Sequence, residues 1–325
     1  MQAEQPSVSA PSLPSRARPV PISLVKRIRH SLPSAFDVAK VGFRLFGLPR
    51  NGFGSIDVTQ KCNLRCKHCY FFENDQPERA LSVDEWVTVL EGWKRTRSRW
   101  EFPFFQCSWV GGEPLLRPEV IERCRKFFRY NLVVTNGTLP LPDWPDVDFY
   151  VSVDGDEEIH EDLRQCKGIY RKIKQNVLAR GPGRVTVSYC ITRQNAHCIE
   201  RMVEEWAPIA GGFTFDFYTP TEGKDDPLWI PLQERDAIID RLFALRRAYP
   251  DSLKVTERAL RLMVSDIAST VTKDCLFAKK AFAYTALGQP KEKCMMGAKA
   301  DCSRCGCIVP FYLHSITHQP PPPRR

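Results

Sequence analysis

The sequence contains no run of about 18 uninterrupted apolar residues, so a membrane-spanning helix is not expected. Its first residues, MQAEQPSVSAPSLPSRARPVP, have charges but no apolar core behind them, and a secretory signal is not expected either. Lys and Arg outnumber Asp and Glu by 47 to 38, a net charge of +9. The basic runs at 16–29 and 94–99 carry no aromatic-interleaved platform and no DNA-reading motif. They read as solvated faces, and no nucleic-acid partner is expected.

Cysteine, in contrast, is abundant. The chain has 13, an odd number, and they gather in two tight groups at 62–69 and 294–307. A secreted disulfide scaffold is usually short, with an even count. In a chain of 325 residues without an export signal, such groups point to metal or cluster ligands in a reducing, cytoplasmic compartment.

Residues 1–21 and 318–325 are rich in Pro and polar residues and read as disordered tails. Residues 22–53 read as basic amphipathic lead-in helices, with Leu24, Val25, Ile28 and Leu32 at helical spacing. That segment, over 22–47, is also a candidate for peripheral contact with an anionic membrane. From Gly54 a strand–helix alternation begins. Strands are expected at 54–59, 104–110, 131–135, 148–153, 184–191 and 212–218. Helices are expected at 82–98, 117–129, 168–180, 196–207 and 231–248, the first opened by a Ser82–Glu85 capping box. Only the Pro-rich LPLPDWPDV connection is too short for a helix. Six strands in this alternation imply a parallel sheet, an α/β partial (β/α)6 barrel over 54–250, with sites at the strand carboxyl ends. Residues 251–317 form a cysteine-rich extension.

The segment TQKCNLRCKHCYF follows the first strand directly and spaces Cys62, Cys66 and Cys69 as C-x3-C-x2-C. Three thiolates can hold three irons of a [4Fe–4S] cubane and leave the fourth open. Zinc would need a fourth ligand, and His68 abuts Cys69 too closely to share one ion easily. This loop resembles the CxxxCxΦC motif of the radical S-adenosylmethionine (SAM) superfamily, with His68 at the Φ position and Tyr70 following. The resemblance implies that SAM chelates the open iron and is reductively cleaved to a 5′-deoxyadenosyl radical. It also implies an electron donor such as ferredoxin or flavodoxin.

Further motifs follow the same resemblance. Gly111, Gly112 and Glu113 after the second strand match the family's GGE, which implies a carboxylate on the SAM amino group. The two glycines are expected to let the backbone approach a ligand. Asn136 sits in a TNG like those of the family. Ser152 and Asp154 on the fourth strand, and Ser188 and Asn195 on and after the fifth, are candidate SAM contacts. Alternation also turns Asp216 and Tyr218 toward the lumen.

Cys294, Cys302, Cys305 and Cys307, with Cys275 upstream, are too dense for core packing. They resemble the auxiliary-cluster extensions called SPASM or twitch, though with fewer cysteines at closer spacing. A second [4Fe–4S] cluster is expected there, with zinc as the alternative and five candidates for four ligand positions. For the substrate, a small molecule or lipid, a peptide or protein to be matured, and no catalysis at all are the competing readings. The 53 residues before the first strand show no strand pattern, which weighs against an N-terminal peptide-recognition domain. A lone electron carrier would not need GGE or polar lumen strands.

Overall fold

The computed structural model describes residues 51–96 and 106–317. The tails expected at 1–21 and 318–325 therefore lie outside the described residues. So do the lead-in helices, except residues 51–53, the last of which opens the sheet.

All six expected strands form, each within about two residues of its expected ends: β1 (Phe53–Asp57), β2 (Gln106–Val110), β3 (Tyr130–Thr135), β4 (Val147–Ser152), β5 (Val185–Ile191) and β6 (Gly212–Phe217). A seventh, β7 (Phe282–Tyr284), comes from the C-terminal extension and pairs in parallel with β1. The order is β6-β5-β4-β3-β2-β1-β7, every neighbouring pair parallel. The sheet is open, the architecture of a partial barrel. Alternation decides the faces. In β5, Val185, Val187, Tyr189 and Ile191 are buried, while Thr186, Ser188 and Cys190 are half-buried on the concave side. Ser152 and Ser188 stand in register on β4 and β5, and Cys190 faces Asp216 on β6.

Helices cover the other face: α1 (Val83–Thr96), α2 (Pro118–Cys124), α3 (Glu157–Arg164), α4 (Ile169–Arg180), α5 (Ile199–Trp206) and α6 (Leu232–Ala248). The capping box is present: Glu85 N donates to Ser82 Oγ (3.2 Å), and Ser82 N to Glu85 Oε2 (2.7 Å). Helix α3 was not expected, because DGDEE reads as a turn. Asp156 both ends that turn and caps the helix, accepting from Ile159 N at 3.1 Å. The Pro-rich connection between β3 and β4 forms no helix. Trp86, Trp109, Trp206, Tyr189, Phe149 and Phe215 are among the largest fully buried side chains of the core.

The extension continues as α7 (Glu257–Leu262), α8 (Ser265–Lys273), α9 (Leu276–Lys280), β7 and α10 (Ile308–Thr317). No described helix is long and apolar enough to cross a membrane.

Candidate functional site

The loop after β1 carries Cys62, Cys66 and Cys69 to the carboxyl end of the sheet. It is fixed there by the loop after β2, backbone to backbone. Gly112 N donates to Thr59 O (3.0 Å), and Glu113 N to Lys61 O (2.9 Å). A Cβ on Gly112 would strike Lys61 O, and Gly111 has φ +120° with Thr59 O facing its missing Cβ at 2.7 Å. These glycines let the GGE loop press against the cysteine loop; the backbone they approach is the protein's own.

Glu113 is 1% exposed and ties the ends of β2 and β3 together. Its Oε1 accepts from Thr135 Oγ1 (2.7 Å) and Leu115 N (3.0 Å), and its Oε2 from Asn136 N (2.8 Å). Burial pushes its carboxyl above the ordinary range, and these three donors pull it back. Asn136 extends the frame. Its Nδ2 donates to Asn63 Oδ1 (2.8 Å) and lies 3.9 Å from Cys62 Sγ, while its Oδ1 accepts from Thr138.

Asp154, expected as a SAM contact, follows β4. It is fully buried and engaged by protein groups. Arg164 on α3 donates to Oδ2 through Nε (2.7 Å) and Nη2 (2.6 Å), and Oδ1 accepts from Cys190 N (3.0 Å). His68 Nε2 stands 3.2 Å from Oδ2. Although burial opposes its ionisation, Arg164 holds the Asp154 carboxyl well below the usual carboxylate range. The Arg164 fork also reaches Cys66, with Nη1 3.8 Å from Sγ. Asn195, also expected as a SAM contact, joins the same network. It is fully buried, its Oδ1 closing a turn on Thr192 N (2.7 Å) and its Nδ2 bonding Asp154 O (3.0 Å) and Cys190 O (2.9 Å). Ser152 and Ser188 are half-buried on the concave face. Asp216 is on that face too, whereas Tyr218 lies past the strand and donates to Asp226 Oδ2 (2.7 Å).

Sequence reasoning missed Arg164 and His160. Both sit on α3 one turn apart, which was the signal available once that helix is admitted. His160 Nδ1 accepts from Asp154 N at 3.0 Å, and burial lowers its pKa to about 3, so the ring is neutral.

The second cysteine group surrounds a cavity. Cys275, Cys294, Cys302, Cys305 and Cys307 all line it, with Thr219, Met295 and Val309. Its walls are clamped to the first loop by side chains that sequence reasoning also missed. Asn74 Nδ2 donates to Tyr70 O (2.9 Å) and to Met296 O (2.8 Å). Lys291 Nζ, from the extension, pairs with Asp57 at the end of β1 (2.8 Å) and donates to Met295 O (2.7 Å). Tyr70 lies between the groups, and its hydroxyl pKa is pushed well up by burial, then by Asp57, Cys69, Cys307 and Cys294.

The donor set fits a [4Fe–4S] cluster and SAM at the first group. Cys62, Cys66 and Cys69 lie within one another's electrostatic reach, and burial raises Cys62 and takes Cys66 to about 11. Those two thiols keep their protons until a cation replaces them. His68 Nδ1 is buried with no partner among the described residues, a polar atom left for a ligand. Among the described residues no three Cys, His, Asp or Glu side chains converge tightly enough to hold one metal ion. A cubane draws its thiolates one per iron from around a larger volume.

An open parallel sheet with a three-thiol loop at its carboxyl mouth defines a cluster-binding α/β protein. Residues 56–205 match the model of the Radical SAM superfamily. The chain is 28% identical over 128 residues to the serine-type anaerobic sulfatase-maturating enzyme of Bacteroides thetaiotaomicron, covering 33% of this chain and 30% of that protein. It is 30% identical over 114 residues to a probable GTP 3′,8-cyclase of Archaeoglobus fulgidus, covering 34% and 31%. The chain thus spans about a third of the length of these relatives. The crystal structure of Streptococcus suis SuiB bound to S-adenosylmethionine superposes with a TM-score of 0.56 at 15% identity, over 77% of this chain and 61% of that one. That likeness is one of fold. The superfamily's cofactors are a [4Fe–4S] cluster and SAM, and its SPASM-type members carry further clusters.

Proposed function

We propose that this chain is a radical SAM enzyme that modifies a peptide or protein substrate, with a second cluster in the extension. The carrying observation is the three-thiol loop, locked to the GGE strap with the orphaned His68 Nδ1 beside it. When bound, the cluster and SAM supply a 5′-deoxyadenosyl radical by one-electron cleavage of the sulfonium. The chain's own groups do the rest. Cys62, Cys66 and Cys69 hold three irons, and Arg164 donates toward Cys66 while fixing Asp154 and, through it, His68. Glu113 Oε2 accepts one bond here and retains capacity for an ammonium. Ser152 and Ser188 offer hydroxyls on the concave face.

The preference for a peptide or protein rests on the sulfatase-maturating relative and on the SPASM-like extension. The cyclase relative favours a second reading, a small-molecule substrate. A lipid substrate drew on residues 22–47, which lie outside the described residues. The test is anaerobic incubation with SAM and dithionite. The chain should form 5′-deoxyadenosine, and Cys66→Ala should form none; native formation by that variant refutes the reading. Peptides encoded beside the gene should then gain a mass change under turnover. Turnover of a small metabolite alone would instead establish the second reading.

A further inference from the structure

Residues 61–68 of the first cysteine loop alternate in exposure. Leu64 and His68 are buried and Cys62 and Cys66 half-buried, whereas Lys61, Asn63, Arg65 and Lys67 are exposed. One side of the loop therefore carries the ligands, and the other presents three cations and no acid to solvent. Asn63 is engaged sideways: its Nδ2 donates to Thr138 Oγ1 (2.8 Å), and its Oδ1 accepts from Asn136 Nδ2 (2.8 Å). Lys67 is answered by Asp162 (2.6 Å). Among the described residues Lys61 and Arg65 enter no ion pair, so their charge is unanswered.

Arg65 is also held still. Its Nη1 donates to Cys62 O (3.0 Å) and Leu64 O (2.9 Å), and its Cζ lies 4.1 Å from the Phe72 ring centroid. The guanidinium is thus fastened to the ligand loop itself. Its Nε and Nη2 donate to nothing among the described residues, which leaves one edge of a fixed fork for a carboxylate. All three cysteines of the loop are partly exposed, so the cover over a group they hold is thin. Cleaving SAM at such a group takes one electron from outside, and electron transfer weakens steeply with distance. A carrier protein that seats on this cover brings its own redox centre close. Encounters of that kind are small, brief and steered by charge.

We propose that the outward face of residues 61–67 is the docking surface for an acidic one-electron carrier protein. Arg65 grips a carboxylate of the carrier, and Lys61 steers its approach. The carrier is oxidised by one electron, and that electron reduces the sulfonium as its S–C5′ bond breaks. The proposal rests on the radical SAM reading, and two reductants separate their failures. Reduced flavodoxin serves as the acidic carrier and reduced methyl viologen as a small cationic donor. Binding of oxidised flavodoxin is measured by isothermal titration calorimetry at low and high salt, with 5′-deoxyadenosine formation followed alongside.

Lys61→Glu and Arg65→Gln should each weaken binding at low salt by roughly tenfold and flatten its salt dependence. Lys126→Glu, at an exposed cation before the amino end of β3, should bind as wild type. In Lys61→Glu, 5′-deoxyadenosine formation driven by flavodoxin should fall with the binding, and formation driven by viologen should stay native. A wild type that binds no flavodoxin at low salt overturns the docking surface. So does native binding by Lys61→Glu or Arg65→Gln, or an equal loss in Lys126→Glu. A wild type that forms no 5′-deoxyadenosine with viologen removes the radical SAM reading instead, and this proposal with it.

Discussion

The two cysteine groups are held in place by different means. The first is joined to the neighbouring strand loop by backbone: the GGE strap bonds to Thr59 and Lys61 main-chain oxygens, and the Glu113 carboxylate adds a side-chain brace between the strand ends. The second is framed by side chains reaching across from elsewhere, Asn74, Lys291 and Arg235. A frame of main-chain bonds tolerates most substitutions and depends on a few glycines. A frame of side chains can be undone one residue at a time.

The largest expected effect follows from Arg164. Arg164→Gln leaves Asp154 buried with too little counter-charge and should destabilise the fold by about 3–5 kcal/mol, read as a fall in denaturant midpoint. Lys291→Met should cost a similar order, about 3 kcal/mol, by stranding Asp57. It should also separate the two sites, with the second cluster lost and the first retained by iron count. An unchanged second cluster in that variant would break the contrast drawn here. Asn74→Ala removes two donated bonds and should cost about 1–3 kcal/mol, again with loss confined to the second group.

Acid provides a gentler test. His160 is neutral when folded, its pKa lowered to about 3 from 6.5. The stability from keeping it neutral is complete above 6.5 and is lost as pH falls toward 3, by at most about 1.4 kcal/mol per unit. His160→Gln should flatten that slope in a melting series against pH. The smallest effect belongs to the rim: Lys299→Ala breaks an exposed 3.4 Å pair with Asp75 and should change stability by less than about 0.5 kcal/mol.

The first site was far more legible in the sequence than the second. Its strands announce themselves by alternation, and Cys62, Cys66, Cys69 and Glu113 lie at strand ends where a parallel sheet gathers its ligands. What the sequence left out has physical causes. Strand period assigns Asp154 a face, yet it cannot tell which protein groups already meet Asp154 and Asn195 there. Arg164 satisfies Asp154 from α3, a helix hidden behind a turn signal. Asn74 and Lys291 act over 222 and 234 residues of sequence separation, where no local pattern carries information.

Strand β7 has one further consequence. Every residue of β1 is buried, and among the described residues β7 is the strand that pairs with it on that side. Were the chain cut before Phe282, β1 would become an open edge, its amides free to recruit a strand from another molecule. Shortened forms lacking the second cysteine group should therefore fail first by self-association, before any question of chemistry arises.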